Sequence, residues 1–525
     1  MVSLELKRVL ISDSVDSCCK TILERNGVTV DVNTKLSKEE LVSEIPKYDG
    51  LIVRSATKVS EDVIKAGKNL KIIGRAGTGV DNIDTVAASL HGVLVMNTPG
   101  GNTLSAAEHT CALISSLARH IPQASASTKE GKWERKQFMG NELFGKTLAI
   151  IGLGRIGREV ALRMQSYGVK TIGYDPLVSP QDAAESNIEW METEKIWPLA
   201  DYITVHVPLI PPTKGMLNDK TIGMCKKGVY ILNVARGGII DEEALLRGLE
   251  SGHVGGAGLD VFVTEPPTGS SADLVKHPKV IACPHLGAST EEAQRRVAQE
   301  IADQFVDGMN GKPLIGLVNV PFNLSEALNS KPLVTLGERL GKVARTLAGG
   351  TVTKAIVTTH GALQKSKGFL TASVSVGLLD QPGTNLINAV TLVKQAGIQV
   401  SSNHVDEAVA RFPLAVSVHV IGNQGNVSVR GSIIGEGIPV LLKYGAVDFS
   451  GPVPLTGKLT LFSTKDCKPT HLLMEIIPSL QKASVAIDGF YTAPSEAESV
   501  CAICTESNVE NLVLQNGKVF PQISF

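Results

Sequence analysis

"AIIGLGRIGREVALRMQSYGVKTIGYDP", residues 149–176, carries three glycines between two apolar runs and closes on an acid. Gly152, Gly154 and Gly157 form G-x-G-x-x-G. The first glycine permits a tight turn, the second lets backbone approach a pyrophosphate, and the third lets helix and strand pack closely. Glycine supplies 51 of the 525 residues, so the motif alone is weak. Its context is stronger: "TLAIIGLG" reads as a strand, "RIGREVALRMQSYG" as a helix opening on the glycines, and Asp175 closes the next strand where ribose hydroxyls belong. A helix N-terminus aims free N–H groups at an anion. An acid at Asp175 accepts from a 2′,3′-diol and repels a 2′-phosphate, so the stretch is expected to bind NAD rather than NADP.

Further strand candidates follow it: "YITVHVP", "VYILNVA", "GAGLDVF" and "VIACPH". With "TLAIIGLG" and "KTIGYDP" they make the strand set of a doubly wound nucleotide fold. Before them, "VLISD", "VTVDV", "GLIVRS", "KIIGRAG" and "VLVMN" alternate with helical patterns, which predicts a second parallel sheet covered on both faces. A polar arm, residues 121–145, lacks core periodicity and suits an interface. Beyond about Gly316 the texture loosens into glycine-punctuated strands, predicting an α+β region with a boundary near Gly451.

Composition excludes several classes. Hydrophobic residues make up 43% and charged residues 20%, the balance of a globular protein. Lys plus Arg is 51 against 52 Asp plus Glu, with no charged block, so no nucleic-acid partner is expected. The opening "MVSLELKRVLISDS" lacks signal-peptide order and no apolar run suits a membrane span, so a cytoplasmic chain with no membrane partner is expected. Eight cysteines form no disulfide framework. Cys501-x-x-Cys504 lacks a second pair or a nearby His, which predicts two packed strand cysteines and no metal site.

Hydride chemistry at a carbonyl needs a cation and a proton carrier. Arg236 in "LNVARGG", Glu265 in "FVTEPP" and His285 in "ACPHLGAST" all stand at strand ends, the edge where ligands bind in open α/β sheets. Each alone could be structural: an ion pair, a solvated loop acid, a hydrogen-bonded histidine. Together they are complementary, since a Glu beside a His stabilises imidazolium. His206 in "TVHVP" is a rival proton carrier, and Asp260 in "GLDVF" is either a nicotinamide contact or a strand-end cap.

The segments "GLIVRSATKV", "GRAGTGVDNID", "NTPGGNTLSAAEHT", "GKWERKQFMG", "GLGRIGREVA", "NVARGGIIDEEAL", "GLDVFVTEPP" and "PHLGAST" closely resemble the D-isomer-specific 2-hydroxyacid dehydrogenases. The resemblance implies two doubly wound parallel-sheet domains followed by α+β C-terminal domains, the last ACT-like. A flavodoxin-like substrate domain (1–100 plus 286–315) would hold an inserted Rossmann NAD domain (101–285), followed by an intervening domain (316–450) and the ACT-like one (451–525). Hinges are implied near residues 97–102 and 287–295. It assigns Arg236 to the substrate carboxylate and keto oxygen, His285 to general acid/base catalysis, and Glu265 to pairing with that histidine.

Around NAD the resemblance implies Gly152, Gly154, Arg155, Ile156, Gly157, Asp175, Thr78, Val207, Val234, Ala235, Asp260, Leu286, Gly287 and Ala288. Val207 stands where the family has a small polar residue, so only backbone contact is expected there. For the substrate it implies Arg54, Ser55, Arg75, Gly77, Asn102 and Arg135. Arg54 and Arg75 end successive strands, and paired guanidiniums suit a phosphate. The expected reaction is oxidation of a phosphorylated 2-hydroxy acid, 3-phospho-D-glycerate, to 3-phosphohydroxypyruvate, the first step of L-serine synthesis. Alternatives on the same fold are a hydroxypyruvate or glyoxylate reductase and an NAD-sensing, corepressor-like binding protein. A homodimer through the arm around Trp133, and from it a homotetramer, is expected. "DCKPTHLLMEI" lacks the proline-glycine turn of amino-acid-binding ACT segments, so assembly rather than serine binding is expected there.

Overall fold

A computed structural model describes residues 4–409, 411–465, 469–482, 484–494, 499–509, 514 and 517–525. Residues 466–468 of the "DCKPTHLLMEI" segment lie outside them. Two compact units divide the chain: one of Met1–Asn97 with Ile301–Phe525, the other Thr98–Glu300.

In the first unit, strands β1 (Arg8–Ile11), β2 (Thr29–Val32), β3 (Gly50–Val53), β4 (Ile72–Arg75) and β5 (Leu94–Met96) form a parallel sheet in the order 2-1-3-4-5, the flavodoxin-like order. Strand β3 is buried at every position, as a sheet covered on both faces requires. Four helices alternate with these strands: α1 (Cys18–Arg25), α2 (Lys38–Glu44), α3 (Glu61–Ala66) and α4 (Thr85–Leu90). Helix α2 starts in a capping box, Ser37 accepting from the Glu40 amide while Glu40 accepts from Ser37.

The second unit opens with α5 (Thr103–Arg119) and α6 (Ile121–Lys129). Its parallel sheet comprises β6 (Thr147–Ile151), β7 (Lys170–Tyr174), β8 (Glu189–Trp190), β9 (Tyr202–Val205), β10 (Val229–Asn233), β11 (Val254–Leu259) and β12 (Val280–Ala282), ordered 12-11-10-9-6-7-8. Counted from β6 this is the Rossmann order, reversing beside β6. All six predicted strands form. The two-residue edge strand β8 was not predicted, because two residues carry no alternation. Helix α7 (Arg155–Gln165) follows the glycine loop.

The unit boundary at Glu300 falls inside the helix Glu291–Met309. Each half has its own anchor: a Cβ on Gly101 would meet Val297, whereas Phe305 lies against Gly50 and Gly74 of β3 and β4. After it, the first unit carries a six-stranded, mostly antiparallel sheet from Val352 to Pro454, packed under the helices Lys331–Ala348 and Lys367–Leu379. Gly451, where a boundary was expected, lies inside the last strand of that sheet, Val447–Pro454, and the next sheet begins at Lys458. That sheet pairs Ile487–Ala493, Ser499–Thr505 and Lys458–Thr464 antiparallel, with the helix Pro469–Lys482 alongside in sequence. Cys501 and Cys504 are buried in its strand Ser499–Thr505, and burial pushes the Cys504 thiol up to about 11. The described cysteines are all free thiols.

Candidate active site

Because the strands of the second unit are parallel, their carboxyl ends share one edge. The Gly152 turn follows β6 there, Asp175 follows β7, His206 and Val207 follow β9, and Val234 to Arg236 follow β10. Asp260 follows β11, and His285 lies just past β12. These predicted residues are therefore gathered at one edge by the parallel topology.

His285 Nδ1 stands 2.9 Å from Glu265 Oε2, and the other carboxylate oxygen accepts from the Phe262 amide at 3.1 Å. The second oxygen is thus held by backbone, and the pair keeps its orientation with both side chains part-exposed, at 48% and 39%. His285 adopts φ 57, in the left-handed region. Its N–H donates to the Asp260 carbonyl, and the next two amides, Leu286 and Gly287, donate to the two Asp260 carboxylate oxygens at 2.7 and 2.8 Å. A cavity of about 400 Å³ opens beside the pair, walled by Phe262, Pro266, Val275 and Pro284.

Arg236 is half-buried. Its Nη1 donates to the Ala235 carbonyl, while the Asn233 amide caps the Arg236 carbonyl and the Asn233 Oδ1 accepts from Ala235. The Asn233 side chain thus fixes the turn that carries the guanidinium. His206, the rival proton carrier, is bonded to Thr204 Oγ1 at 3.0 Å, and burial pushes its pKa down to about 4. At neutral pH it is an uncharged strand-end residue.

The glycines divide their work. A Cβ on Gly152, where φ is 99, would collide with the His206 carbonyl, and one on Gly157 would collide with the Gly152 carbonyl oxygen. A Cβ on Gly154 would meet nothing within 4 Å. Gly154 is the N-cap of α7 and has no side chain to satisfy the first-turn amides. An open cradle under unsatisfied N–H groups fits the pyrophosphate of a dinucleotide. Asp175 spends one oxygen on the Leu153 amide and one on the Leu177 amide, each at 2.9 Å, which fixes the carboxylate beside the glycine loop. Arg155 Nη1 reaches the Pro99 carbonyl, Ile156 is half-buried, and Ala288 accepts from Gln294. Val207 Cγ1 lies against Gly152, so its side chain packs on the turn.

In the first unit, Arg54 follows β3 and Arg75 ends its parallel neighbour β4. Asn82, which sequence reasoning did not single out, ties them together. Its Oδ1 accepts from Arg75 Nε at 3.1 Å and its amide donates to the Arg54 carbonyl at 2.6 Å. Asp13 receives the Arg54 backbone amide at 2.6 Å, and burial pulls the Arg54 pKa down. Gly77 leaves room for the Arg75 guanidinium, which a Cβ would strike. Ser55 is exposed beside Arg54, and the Thr78 carbonyl accepts from Asn97. In the second unit Asn102 is the N-cap of α5, and Arg135 lies on an exposed arm with Trp133, 80% exposed. The signal for Asn82 was a polar residue in a turn, too common to stand out.

The Rossmann edge with its Arg, Glu and His defines an NAD-dependent dehydrogenase of the D-2-hydroxyacid class. Residues 111–287 match the D-isomer specific 2-hydroxyacid dehydrogenase, NAD binding domain family. Among solved structures, a D-lactate dehydrogenase from Aquifex aeolicus complexed with NAD and lactic acid is similar at TM-score 0.54 and 27% identity, covering 60% of this chain and all of that one (100%). A glyoxylate reductase from Paecilomyes thermophila is similar at TM-score 0.55 and 26% identity, over 60% and 98%.

Residues 329–443 match the D-3-phosphoglycerate dehydrogenase intervening domain family. D-3-phosphoglycerate dehydrogenase of Homo sapiens is 50% identical over 501 residues, 94% of this chain and 93% of the relative. That of Bacillus subtilis (strain 168) is 41% identical over 433 residues, 81% of each. The chain belongs to the D-3-phosphoglycerate dehydrogenase family. The reductase and corepressor alternatives are set aside by these relatives, which match at far higher identity and coverage than the reductase.

Proposed function

We propose that the chain oxidises the C2 hydroxyl of 3-phospho-D-glycerate to 3-phosphohydroxypyruvate, the entry to L-serine synthesis, in the cytoplasm. NAD, when bound, accepts the hydride from C2. Arg236 holds the substrate carboxylate and the oxygen at C2. His285 takes the hydroxyl proton as the hydride leaves, and Glu265 stabilises the imidazolium that results. The carrying observation is the 2.9 Å contact of His285 with Glu265, at the same sheet edge as Arg236. Arg54 and Arg75 bind the phosphate, a reading supported by their neighbouring strand ends and the shared Asn82. Asp175 favours NAD over NADP by charge.

The exposed Trp133, with Met139 and Phe144 at 78% each, supports the arm as a self-association surface. No helix among the described residues is long and apolar enough to cross a membrane, and the free thiols suit a reducing compartment. An assay of NAD reduction with 3-phosphoglycerate, glycerate and lactate tests the reading. Turnover of 3-phosphoglycerate well above the other two is expected, and equal turnover of lactate would overturn the substrate assignment. Replacing NAD with NADP is expected to lower kcat/KM at least about tenfold, since a pair of like charges costs on the order of 1.4 kcal/mol or more at short range.

A further inference from the structure

Three successive amides, those of His285, Leu286 and Gly287, converge on one residue, Asp260. A left-handed histidine costs about 1–2 kcal/mol and persists only where its surroundings hold it, so Asp260 maintains the turn that carries the proton carrier. The Asp260 side chain is fully buried, 0% exposed. Burying a carboxylate is costly, and a cation beside it adds to what the amides offset. What faces it is His109 on α5, whose Nε2 lies 3.2 Å from Oδ1, an ion contact. Asp260, followed by a hydrogen bond donated to the Cys283 sulfur, raises the His109 pKa to about 9, so the ring is an imidazolium at neutral pH.

His109, Asp260 and Cys283 lie close enough to hold a metal ion. Both Asp260 oxygens are already taken by amides, which favours a charge clamp over coordination. No feature of the sequence around His109 marks it, since "SAAEHTCAL" reads as an ordinary helix.

We propose that His109 is a positioning residue for the reaction, anchoring the Asp260 carboxylate that holds the 285–287 backbone and thereby the aim of the His285 ring at Glu265 and substrate. The proposal rests on the catalytic reading of His285 above. It touches neither reacting atom; it acts through Asp260. Small displacements of a catalytic group cost up to about 100-fold in rate, so loss of the clamp is read in kcat.

A double-mutant cycle of His109→Leu with Asp260→Asn tests it, with kcat and KM measured on 3-phosphoglycerate and NADH affinity and melting temperature measured alongside. His109→Leu is expected to lower kcat about tenfold in the wild-type background, with the 3-phosphoglycerate KM within about twofold, and less than about twofold in the Asp260→Asn background. His109→Gln, which keeps a donor without the charge, is expected to recover part of the loss, and it replaces His109→Leu in the cycle if that variant does not fold. Equal losses in both backgrounds, or no loss in the wild-type background, overturn the proposal. A wild-type chain that does not turn over 3-phosphoglycerate overturns the proposed function and this inference with it, whereas normal wild-type turnover with additive losses overturns the inference alone.

Discussion

The Nδ1 of His285 and the Oε2 of Glu265 lie 2.9 Å apart while the other Glu265 oxygen is bonded to the Phe262 amide. Backbone therefore orients the acid, and the acid orients the base. His285→Ala is expected to lower kcat by roughly 100-fold to 10,000-fold, the range for a general acid/base. Glu265→Gln keeps the hydrogen bond without the charge and is expected to cost about 10-fold to 100-fold. NADH affinity, followed by fluorescence titration, is expected to hold within about threefold in both, because neither residue touches the glycine loop.

Gly154 and Gly157 sit three residues apart with opposite consequences. Gly157→Ala pushes a methyl into the Gly152 carbonyl, an overpacking cost of about 1–3 kcal/mol, and is expected to lower the melting temperature by several degrees. Gly154→Ala meets no protein atom within 4 Å, so the melting temperature is expected to stay within about 1 °C. NADH affinity is nonetheless expected to fall at least about tenfold, since the methyl occupies the cradle. Calorimetry beside fluorescence titration separates the two.

Asn82 links the two arginines through Arg75 Nε and the Arg54 carbonyl. Arg54→Ala is expected to raise the KM for 3-phosphoglycerate by roughly 10-fold to 100-fold, the value of one charged hydrogen bond. Glycerate turnover should change by less than about twofold. Asn82→Ala should shift the same KM in the same direction by a smaller factor, because it loosens the arginines without removing charge. Steady-state kinetics on both substrates tests this.

Two histidines of the second unit oppose each other in pH. His109 has its pKa raised to about 9 by Asp260, so its contribution to stability is full below the ordinary value of 6.5 and is lost as pH rises through 9. His206 is pushed down to about 4 by burial, so its contribution is full above 6.5 and is lost as pH falls toward 4. The melting-temperature deficit of His109→Leu relative to wild type is therefore expected to shrink between pH 7 and pH 10. Replacing His206 with Gln is expected to flatten the acid side instead. Thermal scans of the three proteins across pH decide it.

Much of this was legible in the chain itself. Alternating β-branched runs and helical patterns specify parallel sheets because both faces must be covered, and a G-x-G-x-x-G between strand and helix specifies a turn that few other residues can make. Strand ends at Arg236, Glu265 and His285 could be read in advance, since parallel strands deliver their carboxyl ends to one edge whatever their order. Short elements such as β8 carry no period and stayed unread, and Gly451, expected near a boundary, lies within a strand.

What local sequence cannot encode is which distant polar groups meet. His109 comes from a helix more than a hundred residues before Asp260, and Asn82 reaches back past α3 and β4 to Arg54. Those contacts depend on helix packing against the sheet and on the desolvation that burial imposes on a carboxylate or a guanidinium. Sequence alone determined that this chain is built to bind a dinucleotide and to bring an arginine, a glutamate and a histidine to its edge. Only the tertiary structure decided which neighbours hold them in aim, because the electrostatic cost of a buried charge exists only once the chain has closed around it.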